Sequence, residues 1–271
     1  MKANISPIIQ TSELFELYPS KNLVIIDASN GQNAKSNYDK KHLDGALFID
    51  LNTQLADIKN DFAIGGRHPL PKIEDFAATL SNLGISPESH VIIYDDKNGA
   101  NAAARFWWML KSIGHKKVQV LNGGFQEAEK HDFPMSSKKE FITKAPLYPF
   151  DNWKLNIANI DEVELASKTQ NQMIIDVRDA NRYSGETEPI DLVAGHIPTA
   201  INIPLTENLD ENGLFLSSEM LKMKYENSFK NNDADNVIVH CGSGVTACHT
   251  LLAVAYAGLE IPKLYVGSWS E

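Results

Sequence analysis

The chain has 271 residues, with 25 Lys and Arg against 35 Asp and Glu, for a formal net charge of −10. Hydrophobic residues at 43% and charged residues at 22% argue against a disordered chain, and an acidic balance without any Lys/Arg block argues against a nucleic-acid surface. No apolar stretch approaches the roughly 20 residues that span a bilayer, residues 1–7 lack the apolar core of a leader, and two cysteines cannot build a disulfide scaffold. Such a length predicts about two domains, and the composition a cytoplasmic enzyme or binding protein without a membrane partner.

In chain order, the first apolar run is Leu23-Val24-Ile25-Ile26-Asp27, followed by His42-Leu43-Asp44-Gly45-Ala46-Leu47-Phe48-Ile49. Helical periodicity covers 73–83, a β-branched strand pattern 91–94, and a second helical pattern 102–112, ahead of Leu121-Asn122-Gly123-Gly124-Phe125. The polar stretch 135–156 carries Pro146 and Pro149, has no sustained period, and reads as a linker. Beyond it come a helix over 160–168, Met173-Ile174-Ile175-Asp176-Val177, and His196-Ile197-Pro198-Thr199-Ala200-Ile201-Asn202-Ile203. A strand over 237–239, a helix over 246–257 and Tyr265-Val266-Gly267-Ser268-Trp269 complete the chain. Four segments of the second half echo four of the first, in the same order and at offsets of 144 to 154 residues. That period is too long for a solenoid and predicts a duplicated domain over 1–134 and 157–271. Alternating strands and helices predict an α/β fold, each domain a mostly parallel sheet with helices on both faces.

The segment His240-Cys241-Gly242-Ser243-Gly244-Val245-Thr246-Ala247-Cys248-His249 carries the chemistry. A buried strand runs into Cys241, a loop with two glycines follows, and a helix begins near Val245 or Thr246. Ligands of open α/β sheets bind beyond the carboxyl ends of strands. Glycines let the backbone adopt positive φ and turn its N–H groups inward, and the helix start adds a positive end. Such a setting favours the thiolate, the reactive form of cysteine. Cys248, seven residues later and about 10 Å along a helix, is too far to bridge Cys241 and reads as core packing. A Cys-x5-Arg phosphatase cradle is excluded because Ala247 stands where its arginine belongs. A zinc site from His240, Cys241, Cys248 and His249 has the wrong spacing, and no metal is expected. The remaining chemistry is sulfur transfer through a cysteine persulfide, whose negative charge a ring of N–H groups can hold.

The loop Cys241-Gly242-Ser243-Gly244-Val245-Thr246-Ala247 resembles the active loop of the 3-mercaptopyruvate branch of the rhodanese family, the tandem-domain sulfurtransferases. The resemblance extends to residues 42–50, Ala103-Ala104-Arg105-Phe106-Trp107-Trp108-Met109-Leu110, Gly195-His196-Ile197-Pro198 and the closing Tyr265-Val266-Gly267-Ser268-Trp269-Ser270-Glu271. It implies an inactive N-terminal domain, with Asp95 in the place of Cys241, and a catalytic C-terminal one. It implies that Cys241 is the nucleophile, that Gly242, Ser243, Gly244, Val245 and Thr246 hold the persulfide, and that Arg182 binds the donor. No cofactor is implied, and no Gly-rich dinucleotide fingerprint is present.

Donors in this family are anions, 3-mercaptopyruvate or thiosulfate, and acceptors are thiophiles such as cyanide, a thiol or a thioredoxin-like protein. Two departures bear on the donor. The second arginine of the mercaptopyruvate branch is replaced by Ile190 after Glu188-Pro189, and the lysine of the thiosulfate branch by Ser243. Arg67, in Gly65-Gly66-Arg67-His68, is the cation expected to compensate, with His68 beside it as the family's active-site histidine. The aspartate of a Ser-His-Asp relay is replaced by Asn52, two residues after Asp50. The neutral loop favours 3-mercaptopyruvate slightly, thiosulfate staying close behind; a non-catalytic binding or persulfide-relay module is the third reading. Trp107 and Trp108 read as core, Asp176, Arg178 and His196 as supports for neighbouring loops, and the other acidic residues as solvated surface charge.

Overall fold

Runs of β-branched residues cannot satisfy their backbone alone and pair side by side, and here all the main pairings are parallel. The computed structural model describes residues 5–18, 20–169, 171–230 and 232–271; residues 1–4, part of the start considered above as a leader, lie outside them. The first sheet has the order Ala46–Phe48, Leu23–Asp27, His90–Tyr94, Val118–Leu121, Ile8–Ile9. The second has the order Ile201–Asn202, Met173–Asp176, Val237–His240, Lys263–Tyr265, Ile157–Ala158. Matched element by element, the two orders are the same. Successive residues of a strand point to opposite faces, so a strand buried at every position has both faces covered. Val118–Leu121 and Val237–His240 are buried throughout, which requires layers on both sides of each sheet.

The echoed segments reproduce local hydrogen bonds as well as strand order. Tyr38 stacks on His42 at 4.1 Å, accepts at its carbonyl from the His42 ring 2.6 Å away, and donates its hydroxyl to Ala46 O at 2.7 Å. Tyr183 stacks on His196 at 3.9 Å, with 2.8 Å from the ring to its carbonyl and 2.6 Å from its hydroxyl to Ala200 O. His196 is thus a structural support, as read from its Gly-His-Ile-Pro setting. Helix Ala102–Ser112 buries every residue but Lys111, and Trp107 and Trp108 are wholly within the core.

The chain divides into two units, residues 1–56 with 71–154 and residues 57–70 with 155–271. The boundaries differ from a simple cut at a linker in two ways. The stretch expected to link is largely built into the first unit: Met135–Ser136 pairs antiparallel with His42–Leu43, and Trp153 packs on Phe76 at 5.4 Å and Trp108 at 6.3 Å. Residues 57–70 belong instead with the second unit. Gly65 N donates to Glu271 Oε1 at 2.8 Å and Arg67 N to Ser270 Oγ at 3.0 Å. A Cβ on Gly66 would lie 2.3 Å from Gly267 O, so only glycine permits this approach. Among the described residues no helix is long and apolar enough to cross a membrane.

Candidate active site

The fully buried strand Val237–His240 delivers Cys241, itself 1% exposed, into a loop that ends at helix Ala247–Tyr256. The two loop glycines serve different purposes. Gly244 sits at φ +71°, and a Cβ there would lie 2.3 Å from Val266 O, so the position demands glycine twice over. Gly242 is outside the left-handed region, contrary to the expectation that both would supply positive φ. Its role is space: a Cβ on it would meet Arg67 Nη2 at 3.1 Å and Arg182 Nη2 and Nη1 at 3.5 and 3.6 Å. The missing side chain is what lets two guanidinium groups lie against the residue after the cysteine.

The closing segment of the chain fixes the loop. Cys241 N donates to Ser268 Oγ at 3.1 Å, and that hydroxyl donates to Tyr265 O at 2.9 Å. Trp269 N donates to Cys241 O at 3.1 Å and Ser270 N to Gly242 O at 3.0 Å. Ser268 is held at φ +58°, where a non-glycine residue costs about 1–2 kcal/mol. The echo in the first unit is Gly124 at φ +59°, followed by Phe125 N donating to Asp95 O at 3.0 Å. Ser268 was not singled out from the sequence; its alignment with Gly124 was the available signal, since a serine in a glycine's place has some other use.

Every residue expected at the site is present in this unit. His68 Nδ1 and Ser243 Oγ lie 2.8 Å apart. Val245 and Thr246 complete the loop, Thr246 as the residue before the helix. Arg67 ion-pairs through Nη1 with Asp191. Arg182 Nη2 pairs with Glu188 Oε1 at 2.7 Å and with Asp191 Oδ2 at 3.1 Å, and its Nε donates to Glu188 Oε2 at 3.2 Å. Arg178 pairs with both oxygens of Asp176, donates to Gly195 O at 2.6 Å and reaches Glu188 at 3.2 Å, supporting the loops as read from the sequence. Burial lowers the Arg67 guanidinium; charge on Cys241 opposes this, Arg182 reinforces it and Glu188 opposes it. Arginine stays charged under such shifts. Burial alone would raise the Glu188 carboxyl, but hydrogen bonds from Arg182 and Ile190 N, with the charges of Arg182 and Arg178, hold it below its usual range.

For Glu188 and Asp191 this cluster corrects the reading of the other acidic residues as surface charge: both are buried by side chain and, with Asp176, interleave with three arginines. Ile190, in the place of the family's second arginine, is exposed. The region of the expected relay aspartate is engaged locally: Asp50 Oδ1 accepts from Thr53 N and Oγ1, both at 2.9 Å, capping helix Leu51–Gln54. Cys248 is buried in its helix, its thiol 3.5 Å from Gly244 O, as expected of core packing. Among the described residues no three His, Cys, Asp or Glu side chains are grouped to hold a metal ion.

The first unit has its own version of the loop, with Asp95 where Cys241 stands. Asp95 Oδ1 accepts from Lys97 N and Gly99 N, both at 2.9 Å; Oδ2 accepts from Asn101 N at 2.9 Å and Ala103 N at 3.2 Å. Burial pushes this carboxyl up to about 6, against the pull of the four N–H groups. A loop of this design therefore turns several backbone donors onto one side chain at the strand end.

Comparison with known proteins agrees with this geometry. The rhodanese-like domain model matches residues 10–131 and again 159–271. A probable 3-mercaptopyruvate sulfurtransferase of Pseudomonas aeruginosa is 36% identical over 86% of this chain and 82% of its own. The thiosulfate sulfurtransferase of Rattus norvegicus is 32% identical over 92% of this chain and 84% of its own. The solved structure of 3-mercaptopyruvate sulfurtransferase from Leishmania major superposes with a TM-score of 0.86 at 30% identity, covering 100% of this chain and 75% of that one. The chain belongs to the rhodanese family and carries its domain in two copies.

Proposed function

We propose that the chain is a sulfurtransferase that takes sulfur from a small anionic donor onto Cys241 and passes it to a thiophilic acceptor. One observation carries the reading: a buried thiol at a strand end has two guanidinium groups packed against the next residue, Gly242. Arg67 Nη2 and Arg182 Nη1 have no hydrogen-bond partner among the described residues, so each offers an N–H edge to an anion. The four donors on Asp95 support the same design in the second loop, where the anion would be a persulfide.

In the first half-reaction the Cys241 thiolate attacks the donor's terminal sulfur and an S–S bond forms. With 3-mercaptopyruvate, the carbon–sulfur bond breaks, its electron pair leaves on the enolate, and a proton completes pyruvate. Ser243 and His68, in hydrogen-bond contact, are suited to moving that proton. In the second half-reaction cyanide, a thiol or a thioredoxin-like acceptor attacks the outer sulfur and frees the thiolate. Relatives named for 3-mercaptopyruvate at 33–36% identity and the neutral Ser243 favour that donor. Thiosulfate, which loses sulfite, is the second reading, favoured by the paired guanidiniums and by relatives named for it.

Steady-state kinetics with each donor and cyanide test the proposal, and parallel double-reciprocal lines are expected of a ping-pong enzyme. Arg182→Ala is expected to raise the donor KM at least about 10-fold, the worth of one charge-assisted hydrogen bond, while the cyanide KM stays nearly constant. An unchanged donor KM removes Arg182 from the site, and turnover with neither donor overturns the enzyme in favour of a relay or binding module.

A further inference from the structure

Asp191 touches both arginines of the proposed anion site. One carboxylate oxygen pairs with Arg67 Nη1 and the other with Arg182 Nη2 at 3.1 Å, and its backbone N–H donates to Glu188 Oε1 at 3.0 Å. Its side chain is 8% exposed, so the bridge is formed largely out of water, where charge interactions are weakly screened. The bridge uses Arg67 Nη1 and Arg182 Nη2, while Arg67 Nη2 and both Nη atoms of Arg182 lie 3.1 to 3.6 Å from where a Cβ on Gly242 would stand. Three arginines, at 67, 178 and 182, are thereby balanced by three carboxylates, at 176, 188 and 191. These six side chains supply directed donors and sum to no net charge, the Cys241 thiolate standing beside them.

From this we infer that Asp191 is a specificity-determining residue: it aims the two guanidiniums at Cys241 while cancelling their excess charge, so that the site accepts a singly charged donor and discriminates against a doubly charged one. The inference rests on the proposed sulfur transfer and extends it to the choice of donor. A monoanionic carboxylate needs directed N–H groups more than it needs net charge. A dianion such as thiosulfate bears twice the repulsion from the carboxylates that stay in place, and the cavity beside Arg67 is lined also by the carboxylates of Asp61, Asp191 and Glu271. Asp191 itself carries no signature in the sequence, although Glu188-Pro189 and Arg182 near it do.

The test compares kcat/KM for thiosulfate and for 3-mercaptopyruvate, with cyanide as common acceptor, in wild type, Asp191→Asn and Asp191→Ser. Both substitutions remove the charge and keep a hydrogen-bond acceptor. The ratio of thiosulfate to 3-mercaptopyruvate efficiency is expected to rise about 10-fold in both variants, the difference of one unit charge at such range, and the rise should shrink as salt is added. A ratio that stays constant, or a loss shared equally by both donors, overturns the inference while leaving the sulfurtransferase reading intact. Failure of both variants to fold likewise overturns it, since Asp191 would then be a structural residue. If wild type turns over neither donor, the functional reading itself fails and the inference falls with it.

Discussion

Replacing the sulfur of Cys241 by oxygen, in Cys241→Ser, is expected to abolish transfer from either donor, with kcat/KM falling by roughly a thousandfold or more. The change is small in volume and leaves the backbone bonds that anchor the residue, Cys241 N to Ser268 Oγ and Trp269 N to Cys241 O, free to form as before. The fold should therefore survive, and the melting temperature should stay close to that of wild type. What is lost is chemical: a serine hydroxyl is a poor nucleophile toward sulfane sulfur, and no persulfide can be stored on it. Activity assays beside a thermal melt check this. Retention of more than a tenth of the activity in a folded variant would place the nucleophile elsewhere.

The second large effect is expected from Gly244→Ala, a change of one methyl group. At φ +71° an alanine costs about 1–2 kcal/mol in backbone strain alone. The added Cβ would also stand 2.3 Å from Val266 O, an overlap that only movement of the loop or of the closing segment relieves. Both carry the geometry around Cys241, since residues 268–270 bond directly to residues 241 and 242. The variant should melt several degrees lower, and transfer should drop about 100-fold, as expected when reacting groups are displaced by about 1 Å. Gly258→Ala is the control: it shares positive φ, at +74°, but nothing lies within 4 Å of the new Cβ. It should lose some stability and keep its activity. Equal activity losses in the two variants would mean that strain in general, not the loop contact, is what matters.

Much of the fold was legible because strands buried on both faces leave an unbroken apolar signature. Residues 91–94 and 237–239 read as strands on that ground, and the helix over 102–112 coincides with Ala102–Ser112. The two-residue edge strands Ile8–Ile9 and Ile157–Ala158 left no such signature, being too short for any period. Helix Ser218–Phe229 shows only a narrow stripe, its buried Leu221, Tyr225 and Phe229 recurring every fourth residue among polar neighbours. At the site, Cys241 and its glycines could be read from local pattern, because a strand-loop-helix junction is written in contiguous residues. Arg67 and His68 came only from family resemblance; their place beside Cys241 depends on residues 57–70 packing with a unit whose other residues begin at 155. Asp191 could not be read at all. A lone aspartate in an irregular loop looks like surface charge, and only the folded chain brings it between two arginines.

Sulfur is expected to rest covalently on one cysteine between the two half-reactions. Intact-mass measurement and peptide mapping after incubation with 3-mercaptopyruvate or thiosulfate, with no acceptor present, tests it most directly. The expected result is a gain of one sulfur atom, mapped to the peptide containing Cys241, unchanged in Cys248→Ser and removed by added cyanide. Sulfur mapped to Cys248, or no gain in mass with either donor, would contradict the account.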